Sequence, residues 1–101
     1  MDIGGLLENV VHQELLSRGY KVSIGKSGDC EVGFVVTRGE EIDYYQVCYL
    51  LSSTETIHRE FSVLRAISDN HPKTVLSMDR LLAPQNSDGI KWSNLVDFLL
   101  D

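Results

Sequence analysis

Two carboxylates and one pair of strand residues are the side chains of this sequence that could do chemistry together. Glu8 falls in a predicted N-terminal helix, and Glu31 lies near the start of the second predicted strand. Gln46 and Cys48 are two residues apart in the third predicted strand, so their side chains point to the same face of the sheet. If the helix packs against these strands, Glu8 comes close to that face. Two converging carboxylates hold Mg²⁺, and a lysine beside them would activate a water, which is the requirement of a metal-dependent phosphodiesterase.

The periodicity of the apolar residues predicts the elements that position these side chains. The predicted order is helix, three strands, helix, two strands and helix. The predicted helices are at 4–18, at 52–68 and from a cap at Ser93 or Asn94 to Leu100, and the strands are at 20–24, 30–37, 42–51, 73–78 and 90–92. This order favours a single α/β domain over residues 1–101, with helices flanking a mixed sheet.

Local signals mark where several of these elements begin and end. Gly19 is expected to end the first helix with a positive φ. A capping box of Ser52 and Glu55 is expected to begin the second helix, whose apolar stripe runs from Ile57 to Ile67. Residues 25–29 and 38–41 have the composition of turns, and the second of these turns predicts an antiparallel hairpin.

Composition limits the classes of function. The 101 residues are 43% hydrophobic and 24% charged, with a net charge of -6, which indicates a globular and acidic domain. An acidic balance disfavours non-specific binding to nucleic acid. The N-terminus lacks the basic region of a signal peptide and no apolar run is long enough to span a membrane, so we expect a cytoplasmic protein without a membrane partner. Cys30 and Cys48 are expected to be reduced, buried thiols.

A set of ordered runs carries a resemblance to a known family. The runs cover nearly the whole chain and include residues 5–11, 14–20, 31–35, 45–49, 59–61, 69–73, 88–91 and 95–100. Together they resemble the C-terminal domain of predicted bacterial and archaeal AAA+-type ATPases, a prokaryotic family of unknown function with a nuclease-like fold. The resemblance implies a restriction-endonuclease-like fold of the PD-(D/E)XK type.

The resemblance also implies where the nuclease residues would lie, and most of them are replaced here. The helix glutamate of the nucleases corresponds to Glu8. Their strand aspartate corresponds to Gly33, and their last glutamate and lysine correspond to Gln46 and Cys48. Glycine offers no ligand, a neutral amide is a weaker ligand for Mg²⁺ than a carboxylate, and cysteine suits softer metals. The expected active site is therefore degenerate, with Glu31 as a weak candidate to replace the lost aspartate.

These observations predict a non-catalytic accessory or interaction domain, whose partner is the ATPase core or another protein. A GxxxxGK[ST] motif is absent from the sequence, so ATP hydrolysis would belong to the ATPase core that the resemblance places upstream. Two alternatives stay open: a nucleic-acid-binding domain without cleavage, and a residual nuclease that uses Glu8 and Glu31 as metal ligands. No cofactor is expected except Mg²⁺ in the last case, and a homodimer through a sheet edge is left open.

Other polar and aromatic residues are expected to have structural roles. The three histidines are predicted to be surface residues. The basic side chains of the later elements are predicted to form a solvated surface rather than a strip that binds nucleic acid. These basic residues are Arg59, Arg65, Lys73 and Lys91. Aromatic residues of the strands are expected to pack on the sheet rather than stack on bases. These aromatic residues are Tyr44, Tyr45, Tyr49 and Trp92.

Overall fold

The computed structural model describes residues 2–27, 30–80 and 89–101, and of residues 25–27 and 30–32 it describes the backbone only. In chain order the elements are α1 (Ile3–Ser17), β1 (Lys21–Ser27), β2 (Cys30–Arg38), β3 (Glu41–Val47), α2 (Thr54–Arg65), β4 (Lys73–Ser77), β5 (Lys91–Asn94) and α3 (Leu95–Leu100). The predicted order of helices and strands is confirmed. Residues 81–88, between the predicted strands at 73–78 and 90–92, lie outside the described residues.

The five strands form one mixed sheet in the order β1-β2-β3-β4-β5. The first three strands are antiparallel neighbours, and β4 and β5 extend the sheet in parallel with β3. The β2–β3 connection is a tight hairpin in which Arg38 pairs with Glu41, and Gly39 has a φ of 62°. The antiparallel hairpin expected from the turn at 38–41 is therefore confirmed.

Two hydrophobic cores lie on opposite faces of this sheet. One core joins α1 and α3 to the sheet through seven buried residues: Val11, Leu15, Phe34, Val36, Val47, Leu76 and Leu95. The other core covers the face of α2 and contains Leu51, Phe61, Leu64, Val75 and Ile90. The internal strand β4 supplies Leu76 to the first core and Val75 to the second, as expected of a parallel strand that is buried on both faces. The apolar stripe predicted for α2 is confirmed, because Ile57 and Ile67 pack beside Phe61 and Leu64.

Several predicted boundaries are wrong by a few residues. β1 continues to Ser27 because its last three residues pair with the start of β2, so the predicted turn does not include 25–27. The third strand ends at Val47 rather than Leu51. Cys48 N still donates to Leu76 O at 3.0 Å, but Leu51 N donates to the Asp79 carboxylate at 2.8 Å, which ends the pairing between strands.

The helix caps follow the chemistry expected of them, with one correction. Asp2 Oδ1 accepts from Gly5 N at 3.0 Å, so α1 begins one residue before Gly4. Ser53 rather than Ser52 caps α2, since its hydroxyl accepts from Thr56 N at 3.1 Å. Asn94 caps α3 by accepting from Asp97 N at 2.9 Å. The capping box of Ser52 and Glu55 is therefore wrong by one residue.

Arg18 connects the ends of the first and last helices. Its Nε donates to Glu14 Oε2 at 2.8 Å, and its Nη2 donates to Phe98 O at 2.7 Å. The guanidinium also lies 4.7 Å from the centroid of the Phe98 ring. A cation at a helix C-terminus stabilises the exposed carbonyls there, so Arg18 fastens α3 to α1. Among the described residues no helix is long and apolar enough to cross a membrane.

Candidate functional site

The pairing of the strands is irregular at Gly33 of β2. Ile24 pairs with Phe34, but the next residue, Gly25, pairs with Val32, so Gly33 is the extra residue of a β-bulge. The pairing of β2 with β3 also begins only at Phe34. A bulge bends its strand and leaves one residue unpaired. The regular pairing of β2 with β1 and with β3 is therefore interrupted at Gly33.

A polar pocket of about 200 Å³ lies beside this bulge, and three residues that are far apart in sequence line it. They are Glu8 of α1, Gly33 of the bulge and Gln46 of β3, which are three of the positions that the resemblance singled out. Ile24, Phe34 and Val47 provide the apolar part of the lining. Glu8 and Gln46 thus line one pocket, but they do not share a face of the sheet as expected. The Gln46 amide bonds Glu60 of α2, whereas α1 packs on the opposite face.

At Gly33 the wall of this pocket leaves no space for a side chain. A Cβ built on Gly33 would lie 2.1 Å from Tyr45 O and 2.8 Å from Gln46 Oε1. Gly33 also has a φ of 20°, a backbone conformation that L side chains rarely adopt. An aspartate therefore does not fit here without displacing the backbone of β3. The space that a metal-binding carboxylate would need is taken by the neighbouring strand and its amide.

Gln46 is held in place by a residue of the second helix. Its Nε2 donates to Glu60 Oε2 at 3.2 Å, which directs the other end of the amide toward Gly33. Gln46 Oε1 is buried and has no hydrogen-bond partner within the described part of the chain. Nothing in the sequence pattern indicated Glu60, which lies off the apolar stripe of α2, because only the tertiary fold brings it to the third strand.

Cys48 lies outside this pocket, although it shares a sheet face with Gln46 as predicted. Its side chain is half-buried and packs against the core beneath α2. Burial, followed by the nearby charges of Glu60 and Asp79, raises the pKa of the thiol to about 12. The thiol is therefore protonated near pH 7, which disfavours it as a nucleophile. Cys48 is a free thiol as expected, but its side chain is half-buried rather than buried, and the side chain of Cys30 lies outside the described part.

The hypothesis that Glu31 replaces the lost aspartate stays a prediction. The side chain of Glu31 lies outside the described residues, and its backbone pairs with Lys26 of β1. Among the residues described, no three histidine, cysteine, aspartate or glutamate side chains are grouped so that they could hold a metal ion. Glu8 is the one carboxylate among the described residues that line the pocket.

Lys73 does not contribute to a basic surface. It is only 9% exposed, and its Nζ donates to Asp69 O at 2.6 Å, to His71 O at 2.9 Å and to Asp69 Oδ1 at 3.1 Å. The ammonium also lies 5.4 Å from the centroid of the Tyr44 ring. These contacts fix the segment between α2 and β4. Lys73 is consequently a structural residue, and any basic strip loses one of its four members.

Three of the four aromatic residues, Tyr44, Tyr45 and Trp92, pack within the fold as expected. The Tyr44 hydroxyl donates to Asp69, and Trp92 Nε1 donates to Ser77 Oγ at 2.8 Å. Tyr45 packs against Phe98 with ring centroids 5.4 Å apart. Tyr49 alone among the four is exposed. A base-stacking surface is therefore not formed by these rings.

Comparisons with known proteins give one relative and no assigned activity. An uncharacterized protein of Haemophilus influenzae is 37% identical to this chain over 94 residues, which are 93% of this chain and 22% of that protein. The chain thus spans about a fifth of the length of the curated relative it matches. No family model matches the sequence. No solved structure matches it either.

Proposed function

We propose that this chain is a non-catalytic accessory or interaction domain of a predicted AAA+-type ATPase, built on a degenerate PD-(D/E)XK nuclease fold. The observation that carries the proposal is the closed wall at Gly33, where Tyr45 O and Gln46 Oε1 take the space of an acidic side chain. A nuclease of this type needs two carboxylates to hold its cation. The pocket retains one of them, Glu8.

The convergence of Glu8, Gly33 and Gln46 supports the nuclease ancestry. The resemblance alone assigned these positions to one active site, and they line one pocket. The arrangement of the sheet supports it as well, since an antiparallel β1–β2–β3 unit continues through parallel β4 and β5 with helices on both faces. The length of the Haemophilus relative is consistent with a domain that occurs inside a longer chain.

The proposal separates binding from chemistry. Glu8 is in place, but the metal-binding aspartate is replaced by a glycine that cannot be extended, and the lysine by a neutral thiol. Such a pocket keeps its shape and part of its negative charge after losing the ability to activate water. A domain of this kind acts through contacts with the ATPase core or another protein.

A cleavage assay tests the proposal. The protein is incubated with linear, branched and single-stranded DNA in Mg²⁺ or Mn²⁺, together with Glu8→Ala as the matched variant. We expect no cleavage above that of buffer in either sample, because a single carboxylate binds the cation too weakly. Cleavage by the wild-type protein that disappears in Glu8→Ala would overturn the proposal.

A further inference from the structure

Helix α1 has apolar side chains on a second side, besides the side that faces the sheet. Val11 and Leu15 of α1 are buried in the first core. Ile3, Leu6 and Val10 of the same helix are 37%, 54% and 39% exposed. Because residues three, four and seven apart lie together on the surface of a helix, these three side chains form one stripe. We call this group of residues the apolar stripe of α1.

Helix α2 differs from α1 in this respect, because its exposed positions are polar. These positions are Thr54, Glu55, His58, Arg59 and Arg65. A helix at the surface of a globular domain has an apolar face toward the core and polar residues on its other sides. A helix that is apolar on further sides is typical of a position inside a larger protein. Helix α1 therefore has the character of a helix between this sheet and a second apolar surface.

The charge of the molecule limits what provides that second surface. The sequence of α1 contains no lysine or arginine, whereas helices that lie on anionic membrane surfaces are rich in both. The net charge of -6 disfavours a second copy of this chain, because two acidic domains repel each other. An apolar surface of a different protein segment meets both conditions.

The Haemophilus relative indicates where such a segment is found. The match to this chain covers 22% of that protein, so the counterpart of this domain belongs to a chain more than four times as long. Domains of one chain commonly meet through interfaces of about 600–1,500 Å². Apolar side chains that are exposed in the isolated domain favour such an interface, since burying them removes apolar area from water.

We propose that the apolar stripe of α1 docks on the ATPase core of such a longer polypeptide, against a surface of the core that is itself apolar. This inference rests on the proposed function, because it names the side of the accessory domain that contacts the core. Burial of Ile3, Leu6 and Val10 supplies the attraction. Leu6 and Glu8 are two residues apart and so point to different sides of the helix. The docking surface is therefore separate from the pocket that Glu8 lines.

A chimera tests this docking. The segment of the Haemophilus protein that matches this chain is replaced by this chain, and Leu6→Cys is introduced into the chimera and into the isolated chain. Alkylation by N-ethylmaleimide is followed at each cysteine by peptide mass spectrometry, since the chain also contains Cys30 and Cys48. We expect residue 6 to react about tenfold more slowly in the chimera, because the core covers it.

Glu55→Cys is the matched control for the alkylation. It changes an exposed residue of α2, on the other face of the sheet, and should react at the same rate in the chimera and in the isolated chain. Equal rates at residue 6 in the two proteins would overturn the proposal.

Leu6→Lys gives a second and independent measurement. Residue 6 is exposed in the isolated chain, so the melting temperature of that chain should stay within about 2 °C of the wild type. In the chimera the same substitution places a charge against the apolar core and should lower the melting temperature by about 5 °C or more. Equal shifts in the two proteins would contradict the docking.

Light scattering of the isolated chain separates the core from a second copy as the occupant. We expect a monomer with and without Leu6→Lys. A dimer that Leu6→Lys dissociates would overturn the proposal and assign the stripe to a second copy. These failures are distinct from a failure of the proposed function, which requires Glu8-dependent cleavage of DNA.

Discussion

Gly33 and Gly39 both have positive φ angles, but their surroundings differ. A Cβ on Gly33 would meet Tyr45 O at 2.1 Å, whereas a Cβ on Gly39 would meet no atom within 4 Å. Gly39→Ala should therefore cost about 1–2 kcal/mol of stability through backbone strain alone. Gly33→Ala should cost about 1–3 kcal/mol more, because the strand beside it must also move.

Urea unfolding of the two alanine variants measures this difference directly. Gly39→Ala is the matched control because it adds the same methyl group at a positive φ in open space. Equal losses of stability would show that Tyr45 and Gln46 can move at little cost to accommodate a side chain at Gly33. The argument that the metal-binding position is closed would then fail.

Tyr44 and Asp69 give stability a dependence on pH at both extremes. Their hydrogen bond is the main cause that raises the pKa of Tyr44 to about 12 and lowers the pKa of Asp69 to about 2. The Asp69 contribution is therefore present above about pH 4 and is lost as the pH falls toward 2. The Tyr44 contribution is present below about pH 10 and is lost as the pH rises toward 12. The hydrogen bond between the two side chains is exposed to solvent, so screening keeps these contributions small.

Tyr44→Phe tests this pH dependence, because it removes the hydroxyl and keeps the ring over Lys73. Free energies of unfolding measured in urea from pH 2 to 4 and from pH 10 to 12 should change less steeply in the variant than in the wild type. Tyr49→Phe, which changes an exposed tyrosine outside this cluster, should reproduce the wild-type slopes. Unchanged slopes in Tyr44→Phe would contradict the assignment.

At the scale of the elements, the start of α2 shows how tertiary contacts select among equivalent local signals. Ser52 and Ser53 are adjacent, and each is a suitable cap. Asp79 accepts from Leu51 N and so fixes the direction in which the chain enters the helix. Ser53 then has the extended conformation of a cap, with φ -145° and ψ 160°. The sequence pattern predicts the helix and its buried stripe, but it cannot detect the contact with Asp79.

Alanine replacement distinguishes the two serines. Ser53→Ala should lower the free energy of unfolding by about 1 kcal/mol, because Thr56 N loses its acceptor. Ser52→Ala changes an exposed residue before the cap and should stay within about 0.5 kcal/mol of the wild type. Thermal or urea unfolding of both variants measures the effect. A larger loss of stability in Ser52→Ala than in Ser53→Ala would indicate that Ser52 is the cap, as predicted from the sequence.

At the scale of the whole molecule, the order of elements could be predicted because each helix and strand has its own apolar period and its own turn signals. The candidate site could be predicted only in part. The assignment of Glu8, Gly33 and Gln46 to one site came from the resemblance, and these residues do line one pocket. The bulge, the enclosed Gly33 and the link from Gln46 to Glu60 depend on strand register and on contacts between distant residues, for which a local pattern carries no signal.

We propose that the pocket at Glu8, Gly33 and Gln46 derives from a nuclease site and has lost its chemistry. The most direct measurement is the rate at which supercoiled plasmid is nicked in Mn²⁺ by the wild-type protein and by Glu8→Ala, in parallel preparations. The account predicts that both rates equal the rate in buffer, since the wall at Gly33 leaves no place for a second metal-binding carboxylate. Nicking by the wild type that requires Mn²⁺ and is abolished in Glu8→Ala would contradict it.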